Sequence, residues 1–360
     1  MTKVTLIPGD GIGPEIVEQT IRILTVAGIQ AEWELAEAGL GAFERTGTPL
    51  PQGTLDSIDR TGIVLKGPLT TPIGGGFRSV TVALRQHFDM FACVRPVRSL
   101  VGVPRAFSNV DLVVIRENLE DLYAGIEFVP GSPALRELAG LVANHQLGAI
   151  ADDAAVSLKV ITASESQRIA RFAFDYARTH GRRKLTVLHK GNNLKVTDGL
   201  FLESARTVSS SYPDIVLDDY IVDNACMQLV RNPEVFDVIL APNLYGDIVS
   251  DLSAGLIGGL GLAASANVGP RVAMFEPTHG SAPRHAGKNV VNPAACIFAG
   301  CMLLDHLGQR QEAERVRAAL AEVIGAGEFV TYDLKPRRDD PSAVGTREMA
   351  DAIIARLAAQ

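Results

Sequence analysis

Strand-length apolar runs alternate with longer amphipathic stretches along most of the chain, and this alternation is what most restricts the fold. Val4–Ile7, Gly62–Leu65, Leu112–Ile115, Leu185–Leu188 and Val235–Ala241 are short and apolar, whereas Ile16–Ala27 and Ser164–His180 are amphipathic. Interleaved in this way they predict an α/β architecture. At 360 residues the chain exceeds one ordinary domain, so two lobes, or one large α/β unit with an insertion, are expected. Gly125–Ile150 breaks the pattern. Pro130, Gly131 and Pro133 precede a weakly patterned stretch there, which reads either as an arm exchanged with a second subunit or as a surface excursion. No internal period points to a solenoid.

An apolar content of 47% suits an ample core, and a formal net charge of −7 speaks against nucleic acid or an anionic membrane as the main partner. A local arginine cluster can still bind an anionic ligand. Cys93, Cys226, Cys296 and Cys301 show no C-x-x-C spacing and sit among apolar residues, which favours buried, reduced thiols in the cytoplasm. The chain runs straight into a strand pattern with no charged and apolar leader, and no window reaches the roughly 18 to 20 apolar residues of a membrane span.

The opening IPGDGIGPE follows a strand and precedes a helix expected to start at Pro14. It fails the dinucleotide fingerprint, because Pro14 stands where G-x-G-x-x-G needs its third glycine. Gly9, Gly11 and Gly13 would instead allow close approach of a planar or phosphorylated ligand. Chemistry is concentrated further on. In NLYGDIVSD, Asp247 and Asp251 are four residues apart, so a helix after Gly246 would project both from one face toward one hard cation, Mg²⁺ or Mn²⁺. Asp223, closing another apolar run, can complete the set from a neighbouring strand or subunit. Arg85 on an amphipathic helix behind a glycine-rich loop, with Arg95 and Arg116 at expected strand ends, can bind several carboxylates bidentately. The combination describes a pocket for a polycarboxylate chelated to a cation.

IPGDGIGPE, KGPLTTPIGGGFRS, RENLEDLYAG, HKGN, NLYGDIVSDLSAGLIGGLG and FEPTHGSAP…AGKNVVNP resemble, in order, the β-decarboxylating dehydrogenases, and most of all the isocitrate branch. The similarity runs from Lys3 to about Tyr332. It implies a two-lobed isopropylmalate dehydrogenase-like fold with a central cleft, not a Rossmann fold. Residues 1–98 and 256–360 would form a large cofactor-binding domain, and 99–255 a small domain with a dimer clasp at about 126–160. The resemblance also implies that Ser79, Thr81, Arg85, Arg95 and Arg116 hold a tricarboxylate substrate, and that Tyr123 and Lys190 transfer protons, with Asp247 as an alternative base. Asp223, Asp247 and Asp251 would hold the metal. Thr71, Glu276, His279, Gly280, Arg284, His285, Asn292 and Tyr332 would line the dinucleotide. Lys190 and Asp223 would come from the partner in a homodimer with shared active sites.

Ser79 favours isocitrate, since a small hydroxyl there can hydrogen-bond its γ-carboxylate where the isopropylmalate branch offers apolar side chains. Thr81 departs from the asparagine of the isocitrate pattern and leaves homoisocitrate or 3-isopropylmalate open. Members that use NAD typically carry aspartate and isoleucine at the positions of Arg284 and His285, and alanine at that of Val291. An arginine pairs with a ribose 2′-phosphate that an aspartate would repel, so the implied cofactor is NADP, with NAD as the alternative. Tyr332 matches a position used by NADP enzymes, but Pro336 replaces the basic residue expected beyond it, beside Arg337 and Arg338. A non-catalytic regulatory subunit is the rival from another class. Such a subunit is expected to lose catalytic or metal residues, and here the set is complete.

Overall fold

The computed structural model describes residues 1–72 and 76–359; of the glycine-rich loop ahead of Ser79, residues 73–75 lie outside the described residues. The strands are β1 (Thr2–Ile7), β2 (Ala31–Leu35), β3 (Ile63–Lys66), β4 (Ala92–Arg98), β5 (Asp111–Glu117) and β6 (Glu127–Phe128). They continue with β7 (Val156–Ser157), β8 (Lys184–His189), β9 (Val216–Ile221), β10 (Val238–Ala241), β11 (Ala264–Val268) and β12 (Ala273–Pro277). Ten of them form one sheet in the order β2-β1-β3-β12-β11-β4-β5-β10-β8-β9, and β6 pairs with β7 apart from it.

The sheet has two parallel wings, β2-β1-β3-β12 and β5-β10-β8-β9, joined through antiparallel pairings of β12 with β11, β11 with β4 and β4 with β5. Parallel neighbours need long crossovers, and helices supply them. This is the expected α/β class, and the antiparallel centre separates it from a doubly wound Rossmann sheet. The five apolar runs read from sequence become β1, β3, β5, β8 and β10. The two amphipathic stretches become the helices Gly13–Ala27 and Ala163–Thr179. The first has Pro14 in its opening turn and ends at Gly28, in a left-handed conformation with φ +94°. The second is capped by Thr162, whose hydroxyl accepts the Glu165 N–H, and buries Ile169, Ala170, Ala173, Phe174 and Ala177. Ala294–His306 is buried on nearly every side, as its run of Ala, Cys, Ile and Leu requires.

Two stretches that the sequence left open take definite form. The glycines of the opening turn let neighbouring loops pack closely. A Cβ on Gly9 would lie 2.3 Å from the Pro68 carbonyl oxygen, and one on Gly11 would lie 2.1 Å from that of Ser281. Between them Asp10 accepts the N–H groups of Leu40, Gly41 and Thr70 at 2.8–3.0 Å, which ties the turn to two further loops. The irregular stretch after Gly125 contains a helix, Pro133–Asn144, which the flanking prolines and glycine had masked. Ser132 caps it by accepting the Leu135 N–H at 3.2 Å, and Pro133 occupies its first turn. From 126 to 160 only Leu135 is buried, and Ile126, Val129, Leu141 and Leu147 are exposed.

Candidate active site

In the antiparallel pair at the sheet's centre, Cys93 stands opposite Arg116 and Arg95 opposite Val114. Alternation along each strand therefore sends Arg95 and Arg116 to the same face. Arg116 is one residue from the end of β5, but Arg95 is in the middle of β4, not at the strand end expected for it. Over this face lies the helix Asn243–Leu256. It starts at Asn243 rather than after Gly246, because Pro242 ends the extended run directly behind β10. Gly246 falls inside it, where a Cβ would lie 2.6 Å from Arg116 Cγ. The glycine lets the helix sit close enough for its carboxylates to reach the arginines.

Asp247 is the hub. Arg116 Nη1 pairs with Asp247 Oδ1, Tyr123 donates its hydroxyl to Oδ2 at 2.6 Å, and Arg95 Nη2 lies 3.5 Å from Oδ1. Arg116, only 1% exposed, also donates to Asn243 Oδ1 from Nε at 3.0 Å and from Nη2 at 2.7 Å, so its buried charge is well satisfied. One helical turn on, Asp251 accepts from Arg95 Nη1 at 3.1 Å, and Ser250 Oγ accepts from the same nitrogen at 2.5 Å. Burial works to raise the Asp247 pKa, but Arg116, the Tyr123 hydroxyl and the arginines Arg95 and Arg85 outweigh it and hold the carboxyl below its usual range. Asp251 goes the other way, raised by burial and by its neighbour Asp247 against Arg95. Burial and Asp247 raise the Tyr123 phenol, so it keeps its proton.

Asp247 and Asp251 are hard oxygen donors on one helix face, with Asp251 half exposed, and fit part of a Mg²⁺ or Mn²⁺ shell. The expected three-aspartate set does not assemble within one chain. Asp223 is in the first turn of the helix Val222–Arg231, 67% exposed, and pairs at 2.5 Å with Lys190, which follows β8. Lys190 holds the Asp223 carboxyl below its usual value. Among the described residues no three His, Cys, Asp or Glu side chains gather to hold a cation. The residues fall into two clusters: Arg95, Arg116, Tyr123, Asp247 and Asp251 in one, Lys190 and Asp223 in the other.

Ser79 caps the helix Val80–His87 by accepting the Val82 N–H at 3.4 Å, and its own hydroxyl hydrogen has no acceptor among the described residues; Thr81 is half-buried in the first turn. Arg85, from the same helix, is buried beside Glu276 at 3.4 Å. Glu276 also pairs with Lys66 Nζ at 2.6 Å and accepts from Asn267 Nδ2 at 2.8 Å. Burial tends to raise the Glu276 pKa, but Lys66 and Arg85 bring it down to about 2. Its carboxylate is thus held by Lys66, Arg85 and Asn267. The buried Nε atoms of Arg85 and Arg95 lack a partner among the described residues, a deficit that an anionic ligand can fill. Sequence reading missed Lys66, Asn243, Ser250 and Asn267. A lysine closing the apolar run IVLK was the available signal for the first.

The other candidates gather where the opening turn meets the loops after β3 and β12. Thr70 Oγ1 is 2.6 Å from Ser281 Oγ, and Ile12 N donates to the Ser281 carbonyl at 2.9 Å. Thr71 and Gly280 are exposed on these loops; burial lowers the pKa of His279, whose Nδ1 is 3.0 Å from the Gly280 carbonyl. Arg284 and His285 are exposed on the short turn Pro283–His285. Asn292 donates to Asp333 Oδ2 at 3.0 Å, next to the half-buried Tyr332. Asp333 borders a cleft of about 440 Å³ that is also lined by Arg105, Gly259, Lys335 and Arg338. Arg337 pairs with Asp339 at 2.8 Å, so of the two arginines after Pro336 it is Arg338 that faces this cleft.

Buried arginines beside paired carboxylates on a mixed sheet place the chain among α/β proteins that handle small anionic molecules. The chain belongs to the isocitrate/isopropylmalate dehydrogenase family, whose model matches residues 3–353. It is similar to the crystal structure of isocitrate dehydrogenase from Methylococcus capsulatus, with 50% identity, a TM-score of 0.90 and 99% of each chain covered. It is 45% identical to the mitochondrial isocitrate dehydrogenase [NAD] catalytic subunit 5 of Arabidopsis thaliana, over 92% of this chain and 83% of that one. It is 43% identical to the isocitrate dehydrogenase [NADP] of Thermus thermophilus, over 98% of this chain and 67% of that one. No helix among the described residues is long and apolar enough to cross a membrane.

Proposed function

We propose that the protein oxidatively decarboxylates isocitrate to 2-oxoglutarate and CO₂, with hydride transfer to NADP, as a homodimer with shared active sites. The observation that carries this reading is the convergence of Arg95, Arg116 and Tyr123 on Asp247, with Asp251 one turn further. Arg85, Arg95 and Arg116 hold the carboxylates, and Ser79 donates its free hydroxyl hydrogen to the γ-carboxylate. Asp247 and Asp251 would hold Mg²⁺ or Mn²⁺ together with the partner's Asp223; when bound, the cation supplies Lewis acidity at the C2 oxygen. The partner's Lys190 takes the C2 hydroxyl proton as hydride leaves C2. After CO₂ departs from the resulting β-keto acid, Tyr123 gives its retained proton to C3.

Apolar exposure supports the dimer. Met227 and Val230 on the helix Val222–Arg231 and Ile248 on Asn243–Leu256 are exposed, as are Ile126, Val129, Leu141 and Leu147 around the expected clasp at 126–160. We assign residues 1–98 with 256–360 to a cofactor-binding lobe and 99–255 to a smaller lobe. The four free cysteines, three of them buried, suit a reducing cytoplasm. For NADP, Arg284 is exposed and free of any ion pair among the described residues, and Arg338 lines the cleft that Asp333 borders.

Initial rates with DL-isocitrate and Mn²⁺, NADP against NAD, and isopropylmalate and homoisocitrate alongside, test the reading. A high kcat/KM with isocitrate and NADP is expected, and activity on another 2-hydroxy diacid alone would overturn the substrate and point to Thr81. Arg284→Asp should reduce the NADP preference by about 10- to 100-fold, the worth of one charged hydrogen bond. An unchanged preference would remove Arg284 from cofactor choice.

A further inference from the structure

Asp121 and Asp198 are both fully buried, and one lysine joins them. Lys159 Nζ lies 2.7 Å from Asp198 Oδ1 and 3.6 Å from Asp121 Oδ1, 4.4 Å from the centre of the Tyr245 ring, and its side chain is only 13% exposed. Two like charges taken out of water need such a bridge. Each aspartate also grips backbone at a proposed proton-transfer element. Asp121, at φ +67°, a region disfavoured for any residue with a Cβ, accepts the Leu122 N–H at 2.9 Å and the Leu244 N–H at 3.0 Å. It thereby sets both the short turn Leu122–Ala124, which carries Tyr123, and the start of the helix that carries Asp247. Asp198 accepts the Lys190 N–H at 2.7 Å. Backbone reinforces the join, since Asp121 N donates to the Val160 carbonyl at 2.9 Å, next to Lys159 in sequence.

We propose that Lys159 is a positioning residue that couples the Tyr123 turn to the Lys190 loop of the same chain through buried Asp121 and Asp198. The proposal rests on the shared-site reading above, in which Tyr123 serves its own chain's site and Lys190 serves the partner's. Lys159 then ties the two active sites of a dimer together. Neither the metal nor the substrate needs it as a ligand. Its effect is on where two reacting groups sit, and small displacements of such groups are costly to rate.

Hybrid dimers separate this from the reading it rests on. A Tyr123→Phe chain paired with a Lys190→Met chain keeps one intact site, built from Tyr123 of the second chain and Lys190 of the first. It should show about half the wild-type rate with DL-isocitrate, Mn²⁺ and NADP. If the hybrid is as inactive as its parents, the shared site is wrong and the coupling falls with it. In an active hybrid, Lys159→Met in either chain should lower kcat about tenfold while KM changes less than about twofold. An effect from one chain only would overturn the coupling and leave the shared site standing. Lys159→Arg should restore most of the rate in both placements; failure to do so would count against a charge bridge. Should Lys159→Met not fold, Asp198→Asn and Asp121→Asn should each slow the hybrid in either chain. An effect of Asp198→Asn only in the chain that supplies Lys190, and of Asp121→Asn only in the one that supplies Tyr123, would mean two independent anchors and overturn the coupling. Amide exchange in the Lys159→Met homodimer should rise at both Leu122 and Lys190, whereas a merely local packing role would loosen one.

Discussion

Arg116–Asp247 and Lys190–Asp223 are both ion pairs assigned to one reaction, yet Arg116 is 1% exposed and Asp223 67%. The first is enclosed by Asn243, Tyr123 and Arg95 and closed over by a helix that needs Gly246 to fit. The second rests on a single contact at the chain's surface. A buried pair missing one partner strands a charge, while an exposed pair contributes little to stability. One cluster is thus organised by its own fold. The other is exposed, and in the proposed dimer it would be presented to a second subunit.

Asp247→Asn should break the organised half most severely. We expect kcat to fall on the order of 10³-fold, by loss of the hub's charge. Stability should drop by about 1–3 kcal/mol, discounted for the partial exposure of Asp247. Initial rates and urea unfolding measure the two; unchanged stability would mean that Asn243 alone satisfies Arg116. Lys190→Met should cost on the order of 10²-fold in kcat while stability stays within about 0.5 kcal/mol. A large stability loss there would erase the contrast between the halves. Gly246→Ala should act through Arg116, destabilising by about 1–3 kcal/mol from overpacking and slowing turnover about tenfold. Wild-type kinetics in that variant would show that the helix can shift without cost.

The smallest effect is a pH dependence of opposite sign in the two regions. Glu117, beside Arg116 on β5, is 2% exposed, and burial pushes its carboxyl up to about 7 although the Leu119 and Glu120 N–H groups donate to it. With the folded value above the ordinary 4.5, the folded state holds the extra proton between the two. Its contribution is therefore fully present below 4.5 and lost as pH rises through about 7. Asp223, lowered by Lys190 from 3.8, contributes above that value and loses it as pH falls, and its exposure keeps the contribution small. Glu117→Gln should flatten the stability curve between pH 4.5 and 7, and Asp223→Asn should leave it alone. Urea midpoints across that range decide; a slope that survives Glu117→Gln belongs to other groups.

Legibility followed the range of the interactions. Strands such as β8 and helices such as Gly13–Ala27 could be read because periodicity and Pro14 act within a few residues. The helix Pro133–Asn144 was obscured by Pro130, Gly131 and Pro133 at its start, and it buries only Leu135. Asp247 and Asp251 were recognisable as a pair from their spacing. That Arg116 would brace the first was not, since the two are 131 positions apart.

By itself the sequence determined the α/β class, the residue types of the site and, through long motifs, the family. Only the tertiary structure decided which of those residues meet. Antiparallel pairing of β4 with β5 puts Arg95 and Arg116 on one face, and Gly246 admits the helix whose Asp247 closes over them. The same folding leaves Lys190 and Asp223 together at the surface, because a buried charge is tolerated only where the whole fold supplies its partner, while an exposed one is tolerated anywhere.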